Sequence, residues 1–242
     1  MRAVHTAMVL AAGRGERMRP LTDRVPKPLV QIAGRSMLDR MLDALERFGV
    51  SNTVVNASHL ARHVERLLEG RTRPPVRISV EAERLETGGG IRRALPHLGR
   101  QAFLVANADI VLPQAEHAFR SLEQHWDAQA MDALLLVVPR TRATGYAGGG
   151  DFAISSPFAG AAPLMRTEAD CHPYVFTGIQ ILARSLFVDT PDGPFSLGTL
   201  YRRARLDRRL FGIVHQDSWF HVGTVQAVRE TERLLAIKAA TS

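Results

Sequence analysis

Hydrophobic residues follow two alternating patterns along the first half of the chain. Compact apolar blocks such as AMVLAA and NTVVNA are typical of buried strands. These blocks occur at 3–12, 52–57, 76–82 and 102–109. Between them, apolar residues recur three and four positions apart, which is the spacing of one helix face. This spacing predicts helices at 36–49, 60–70 and 91–98.

Strands that alternate with helices predict an α/β fold, because right-handed crossovers leave successive strands parallel and covered on both faces. We therefore predict a Rossmann-like, mixed but mostly parallel sheet flanked by helices, in a single domain spanning 1–242. Ligands of such sheets bind at the carboxyl ends of the strands. The residues predicted at these ends are the loop after Gly13, Asn56, the loop at Glu83, and 107–109.

The pattern is less regular after Asp109. It predicts strands at 133–138, 152–155, 174–182 and 210–215. It predicts helices at 114–126, 196–208 and 224–239. No low-complexity linker divides the chain, which favours one domain.

Composition restricts the partners and the compartment. The chain has 242 residues and a formal net charge of +7, so anionic partners are expected. No apolar run approaches the roughly 20 residues that cross a bilayer, and the single cysteine, Cys171, is typical of a reducing compartment. We therefore expect a cytoplasmic protein without a membrane partner. The basic cluster at 202–209 has no interleaved aromatic residues, which favours a solvated helix face over a nucleic-acid site.

The loop after the first strand carries an unusual set of polar residues. Gly13 and Gly15 precede Arg17, and two prolines flank Lys27, one of only two lysines among 31 lysines and arginines. Met18 stands where a dinucleotide-binding loop has its third glycine, and the Gly-Lys-Ser/Thr end of a P-loop is absent. The backbone amides of such a loop can meet anionic oxygens, and the prolines give Lys27 a rigid base.

The segment LAAGRGERMRPLTDRVPKPL at 10–29 closely resembles the signature of the sugar-phosphate nucleotidyltransferases. The resemblance covers nearly the whole chain. It continues through LETGGGI at 85–91, VANAD at 105–109, GDF at 150–152, FTGIQIL at 176–182 and WFHVGT at 219–224. Among the subfamilies, the segments ETGGGI and GDF are most similar to N-acetylmuramate-1-phosphate uridylyltransferases of peptidoglycan recycling, and mannose-1-phosphate guanylyltransferases are close relatives.

This resemblance implies an enzyme that transfers a nucleoside monophosphate from a nucleoside triphosphate to a sugar 1-phosphate and releases pyrophosphate. UTP is the favoured donor and N-acetylmuramic acid 1-phosphate the favoured acceptor, in a monomer or homodimer. The implied nucleotide-binding part is 1–112, and 113–242 binds the acceptor and completes the metal site. Two alternatives remain open: a mannose-1-phosphate guanylyltransferase that makes GDP-mannose, and a non-catalytic regulatory protein that binds nucleotide sugars.

The same resemblance assigns roles to individual residues. Arg17 and Lys27 are the implied catalytic residues, since an ionised phosphate nucleophile needs charge neutralisation rather than a general base. Asp109 is the implied ligand of Mg²⁺. The implied nucleotide-binding residues are Ala12, Gly13, Arg14, Gly15, Glu16, Arg17, Lys27, Gly88 and Gly89. The implied sugar-phosphate-binding residues are Asn107, Asp151, Thr177 and Gly178.

One position departs from the family pattern. His221 stands where relatives have the aspartate that completes the metal site. Magnesium prefers oxygen ligands, whereas imidazole suits softer ions such as manganese better. Asp217 lies four residues earlier, which is roughly 13 Å away along an extended strand. We therefore expect Mg²⁺ to be held by Asp109 and the triphosphate alone, with Mn²⁺ or another divalent ion as the alternative.

Overall fold

Parallel strands and the helices between them make up the amino-terminal half of the fold. The structure is a computed structural model that describes residues 4–154, 160–166 and 173–241. In chain order the elements of this half are β1 (Val4–Leu10), β2 (Gln31–Ile32), β3 (Arg35–Ser36), α1 (Met37–Phe48), β4 (Asn52–Ala57), α2 (Ala61–Leu68), β5 (Val76–Val80), α3 (Glu86–Ala94) and β6 (Ala102–Asn107). The positions of β1, β4, β5, β6, α1 and α2 agree with the sequence pattern.

Helix α1 has the ends that its sequence predicts. The hydroxyl of Ser36 accepts a hydrogen bond from the backbone N–H of Asp39 at 3.0 Å. Gly49 ends the helix with a φ of 89°, a left-handed conformation that glycine adopts without strain.

The carboxy-terminal half contains longer connections and two very short strands. Its elements are β7 (Ile110–Val111), α4 (Ala115–His125), β8 (Ala133–Pro139), β9 (Phe152–Ile154), β10 (Ala162–Arg166), β11 (Tyr174–Ala183), α5 (Leu197–Leu206), β12 (Leu210–Val214), β13 (Phe220–His221) and α6 (Val225–Thr241). The predicted strand positions 3 and 155 lie outside the described residues, as does Cys171. No helix of the described residues is both long and apolar enough to cross a bilayer.

Nine strands form the main sheet in the order β5-β4-β1-β6-β11-β8-β12-β10-β9. Strands β5, β4, β1 and β6 are parallel, as are β12 and β8. Strand β11 is antiparallel to β6, β8 and β9, and β10 is antiparallel to β12 and β9. The predicted mixed sheet is therefore confirmed. The sheet is also mostly parallel, as predicted, because seven of its nine described strands run in one direction and only β10 and β11 run in the other.

Helices bury both faces of this sheet. On one face α1 and α4 pack through residues such as Leu42 and Phe119, which are fully buried. On the other face α3 and α5 pack through residues such as Ile91 and Leu200. Burying each of these side chains stabilises the fold by about 1.5–3 kcal/mol relative to leaving it exposed. The two layers hold the strand ends in fixed positions.

A third, smaller apolar cluster lies at the carboxyl edge of the sheet. It consists of Met18, Val30, Ile32, Met37, Val111, Phe220 and Val222. These residues connect the loop after β1 with the two-stranded β7–β13 sheet, in which His221 lies opposite Ile110. The sequence pattern did not predict β7 or β13, because two-residue strands have no measurable periodicity.

The triple glycine of LETGGGI lies inside helix α3 and not in a turn before a helix, so the predicted helix at 91–98 begins too late. Gly88 and Gly89 both donate backbone hydrogen bonds to the carbonyl oxygen of Phe195, at 2.9 and 3.2 Å. All three glycines are buried. Here glycine permits close packing of α3 against the segment before α5.

We predict that Gly88→Ala destabilises the protein by about 1–3 kcal/mol, the usual cost of overpacking a core. A Cβ at this position would lie 2.3 Å from Cε2 and 2.8 Å from the carbonyl oxygen of Phe195. Gly198→Ala is a matched control in helix α5, where the nearest atom would be 3.4 Å away. Chemical denaturation measures both variants. A Gly88→Ala protein as stable as the wild type would contradict the packing role.

Candidate active site

A cavity of about 620 Å³ opens at the carboxyl ends of β1, β4, β5 and β6. Four strand ends meet there because parallel strands terminate at the same edge of a sheet. Most residues predicted for the nucleotide and metal sites line it. They are Ala12, Gly13, Arg14, Gly15, Glu16, Arg17, Lys27 and Asp109, and Asn107 of the predicted sugar-phosphate-binding residues lines it as well.

The loop after β1 is held by contacts around Gly15. Its φ is 65°, and a Cβ there would lie 2.8 Å from Cβ of Lys27 and 2.9 Å from Cγ2 of Thr22. The Gly15 carbonyl oxygen accepts hydrogen bonds from the Thr22 hydroxyl and from the backbone N–H of Met18. At Gly13, in contrast, a Cβ would meet no protein atom within 4 Å. Gly15 is thus required by the loop itself, whereas Gly13 leaves the cavity open.

Lys27 and Asp109 form an ion pair inside the cavity. The lysine Nζ lies 2.6 Å from Oδ2 of Asp109, and the two side chains are 9% and 29% exposed. A buried ammonium is costly unless a carboxylate lies beside it. The pair joins the turn after the β1 loop to the end of β6, so it fixes a cation and an anion at the same point of the cavity.

His221 lies beside this ion pair because β13 pairs with β7. Its Nε2 is 3.9 Å from Oδ2 of Asp109, its ring stacks on Trp219, and its Nδ1 lies 3.3 Å from the Gly145 carbonyl oxygen. Burial lowers the pKa of the His221 imidazole, which favours the neutral ring. In the tautomer in which Nδ1 donates to Gly145, the lone pair of Nε2 faces Asp109. Two acceptors that face each other in this way suit a cation between them.

Asn56, which the sequence placed at a strand end, and Glu81, which it did not single out, also line the cavity. Asn56 donates from Nδ2 to Oε1 of Glu81 at 2.7 Å, and its Oδ1 accepts from the backbone N–H of Ala11. Glu81 is 5% exposed, and burial raises the pKa of its carboxyl. A charged residue at the end of a half-buried strand was the available sequence signal for Glu81.

The predicted sugar-binding residues are only partly brought together. Gly178 has a φ of 91°, and a Cβ there would lie 2.8 Å from Nδ2 of Asn107, so this glycine makes room for the asparagine. Asp151 is exposed and accepts hydrogen bonds from the Tyr146 hydroxyl and the backbone N–H of Phe176. The structure corrects the prediction that the Thr177 side chain binds the sugar phosphate. It is 1% exposed and donates to the Leu136 carbonyl oxygen, so it belongs to the sheet and not to the cavity.

A family model described as the MobA-like NTP transferase domain matches residues 7–189 of the chain. This span includes the glycine loop, Lys27, Glu81 and Asp109. The chain belongs to the MobA-like NTP transferase family.

Curated relatives of this NTP transferase extend the match to nearly its whole length. It is 39% identical to the N-acetylmuramate alpha-1-phosphate uridylyltransferase of Caulobacter vibrioides, over 95% of the chain and 96% of that relative. It is 34% identical to the protein of the same name from Neisseria meningitidis serogroup B, over 94% of the chain and 97% of that relative.

The fold of the NTP transferase is similar to that of solved structures. A UDP-glucose pyrophosphorylase in complex with UDP-glucose superposes with a TM-score of 0.77, covering 97% of this chain and 99% of that one, at 16% identity. The predicted nucleotidyltransferase fold is therefore confirmed.

The implied contact of Gly88 and Gly89 with a nucleobase is a further correction. The backbone N–H groups of both residues already donate to Phe195, and neither residue lines the cavity. Glu86 and Thr87, the two residues immediately before them, do line it.

Gly13 and Gly15 lead to a contrasting prediction for this NTP transferase. Gly13→Ala is expected to keep the wild-type melting temperature and to weaken binding of a nucleoside triphosphate by roughly tenfold or more, which corresponds to about 1.4 kcal/mol. The reason is that its methyl group would enter open space of the cavity, where it meets no protein atom but would meet a bound ligand. Gly15→Ala is expected to lower the melting temperature, because its Cβ would clash with Lys27. Calorimetric titration and thermal unfolding measure both effects. Unchanged nucleotide affinity in Gly13→Ala would show that Gly13 does not face the ligand.

Proposed function

We propose that this protein transfers uridine monophosphate from UTP to N-acetylmuramic acid 1-phosphate, giving the UDP-sugar and pyrophosphate. The sugar phosphate oxygen forms a bond to the α-phosphorus, and the bond from that phosphorus to the oxygen bridging to the β-phosphorus breaks. Two full-length relatives with this activity in their names support the proposal. The observation that carries it is the cavity with Lys27 and Asp109 at one end, because these charges suit phosphoryl transfer.

The order of the strand ends supports a direction for the bound nucleotide. Glu81 follows β5 and Asp109 follows β6, three strand spacings away, which is about 14 Å at 4.8 Å per spacing. This length suits a nucleoside triphosphate. We propose that the base lies against Asn56 and Glu81. The Glu81 carboxylate can accept a hydrogen bond from a ring N–H of the base. The phosphates then lie on the loop that contains Gly13.

Lys27 and Arg17 are the proposed catalytic residues. The second phosphate pKa of a phosphomonoester is near 6, so the nucleophile is ionised at neutral pH and needs no base. The ammonium of Lys27 is a compact charge that can turn between the phosphate attacked and the phosphate that attacks. Arg17 Nη2 would lie 3.3 Å from a Cβ placed at Gly223, close to His221, where it can neutralise the leaving pyrophosphate.

A Mg²⁺ ion is the proposed cofactor, and the donor set fits it in part. Among the described residues, no three His, Cys, Asp or Glu side chains gather as a metal site. Asp109 alone supplies a carboxylate, which is sufficient for an ion that binds mainly to phosphate oxygens. When bound, the ion neutralises charge on the triphosphate. His221 can add a nitrogen ligand, because its Nε2 lies 3.9 Å from Oδ2 of Asp109.

The acceptor is proposed to lie beyond Asp109, against Asn107, Gly178 and Asp151. Residues 1–112 then mainly hold the nucleotide, and 113–242 mainly hold the sugar phosphate. A cytoplasmic role in peptidoglycan recycling agrees with an acceptor that is a peptidoglycan sugar.

Pyrophosphate release from a panel of nucleoside triphosphates and sugar 1-phosphates tests the proposal. We expect UTP with N-acetylmuramic acid 1-phosphate to be the best pair. Turnover only with GTP and mannose 1-phosphate would instead identify a guanylyltransferase, and nucleotide binding without any release would identify a regulatory protein.

Lys27→Ala is expected to lower kcat by at least about a hundredfold, the effect of losing one preorganised charge at the transition state. Nucleotide affinity should fall much less, because the loop of Gly13 remains. Single-turnover kinetics and calorimetric titration separate the two effects. A folded Lys27→Ala protein with the wild-type rate would exclude the mechanism.

His221→Asp is expected to raise the ratio of the rates with Mg²⁺ and Mn²⁺ by roughly tenfold, since a carboxylate oxygen suits Mg²⁺ better than an imidazole nitrogen. Initial rates across both metal concentrations measure this ratio. If the rate and the metal preference both stay the same, His221 has no role at the metal.

A further inference from the structure

An arginine, Arg140, lies beyond Asp109 at the same carboxyl edge of the sheet. Strand β8 runs parallel to β6, because β11 lies between them and is antiparallel to both. The carboxyl end of β8 therefore lies at the same edge as the cavity, two strand spacings from β6, or about 10 Å. Arg140 directly follows β8 and is half-buried. This distance is comparable with the length of a hexose 1-phosphate whose phosphate lies at Asp109.

A continuous set of contacts connects Arg140 with the proposed metal position. The ring of Tyr146 lies edge-on to His221, with centroids 6.3 Å apart. The guanidinium carbon of Arg140 lies 5.6 Å from the centre of the same tyrosine ring. The Tyr146 hydroxyl donates to Oδ1 of Asp151 at 3.1 Å. Arg140 and Asp151 are thus both positioned by Tyr146, on the acceptor side of the site.

Arg140 is oriented by the protein, and no carboxylate of the described residues neutralises it. Its Nε donates to the Gly148 carbonyl oxygen at 2.6 Å, and its backbone N–H donates to Pro173. Within the part of the chain that the structure describes, its two terminal nitrogens have no acceptor and no carboxylate pairs with it. Arg142, two residues later, is instead bonded to Gln216. A guanidinium held at one nitrogen presents the other two as a fork for a carboxylate.

We infer that Arg140 binds a carboxylate on the acceptor sugar and so selects an acidic sugar 1-phosphate. The inference rests on the proposed function and identifies the carboxylate as the group of the acceptor that Arg140 recognises. N-acetylmuramic acid differs from N-acetylglucosamine by a lactyl ether that ends in a carboxylate. Near Asp151 such a group is repelled, because like charges at short range raise each other's energy. Arg140 offsets this repulsion and gives the acidic sugar an ion pair that the neutral sugar lacks.

Three acceptors test the inference with Arg140→Gln: N-acetylmuramic acid 1-phosphate, its lactyl methyl ester and N-acetylglucosamine 1-phosphate. The ester keeps the bulk of the lactyl group and removes its charge. We expect kcat/KM for the acid to fall by about 10- to 100-fold, the effect of losing a charge-assisted hydrogen bond, and to change less than about twofold for the other two. Dissociation constants measured by calorimetric titration should follow the same pattern for acceptors that turn over slowly.

Arg140→Lys should recover part of the activity, since it keeps the charge but loses the fork. Arg202→Gln is the matched control: it removes an equal charge from the exposed side of α5 and should leave all three acceptors unchanged. An equal loss for all three acceptors in Arg140→Gln would overturn the inference and assign Arg140 a structural role in the loop.

The wild-type protein separates this inference from the proposed function. Turnover of the neutral acceptors in preference to the acid would overturn carboxylate selection and leave the transferase function intact. Release of no pyrophosphate with any acceptor would overturn both.

Discussion

The buried charge of Lys27 is the constraint on which the site depends. A lysine that is 9% exposed requires a carboxylate, and Asp109 supplies it at 2.6 Å. The two residues come together because β1 and β6 are neighbours in the sheet and end at the same edge. The parallel pairing of these strands therefore determines where charge can be concentrated, and the loop containing Gly15 is shaped around the lysine stem.

Apolar contacts keep this charged edge in place. Met18 is fully buried in the small cluster with Val111 and Phe220, so the glycine loop packs against the β7–β13 pair. The same pair brings His221 to within 3.9 Å of Asp109. The order of the strand ends then gives the edge a direction, from Glu81 at β5, through the loop after β1 and Asp109 at β6, to Arg140 at β8. A nucleotide and an acceptor can lie along this line with their reacting phosphates at the ion pair.

Glycines illustrate how one residue type can have several physical causes. Gly15 is required by a left-handed backbone and a nearby lysine, Gly88 by a phenylalanine packed against a helix, and Gly178 by the side chain of Asn107. Gly13 has no such protein neighbour. A sequence motif records that glycine is present at each position, but the neighbouring atoms that explain it belong to distant parts of the chain.

The sequence by itself determined the α/β alternation, the limits of α1 and β4, and the loop with Lys27, because periodicity, capping and glycine content are local properties. Most residues of the candidate nucleotide and metal sites came from two short motifs, one on this loop and one at the end of β6. Only the tertiary structure decided the β7–β13 pair, the Asn56–Glu81 contact, the burial of Thr177 and of the triple glycine, and the position of Arg140. Each depends on strands or segments far apart in sequence, and the free energy of such contacts comes from packing and pairing that local sequence patterns do not encode.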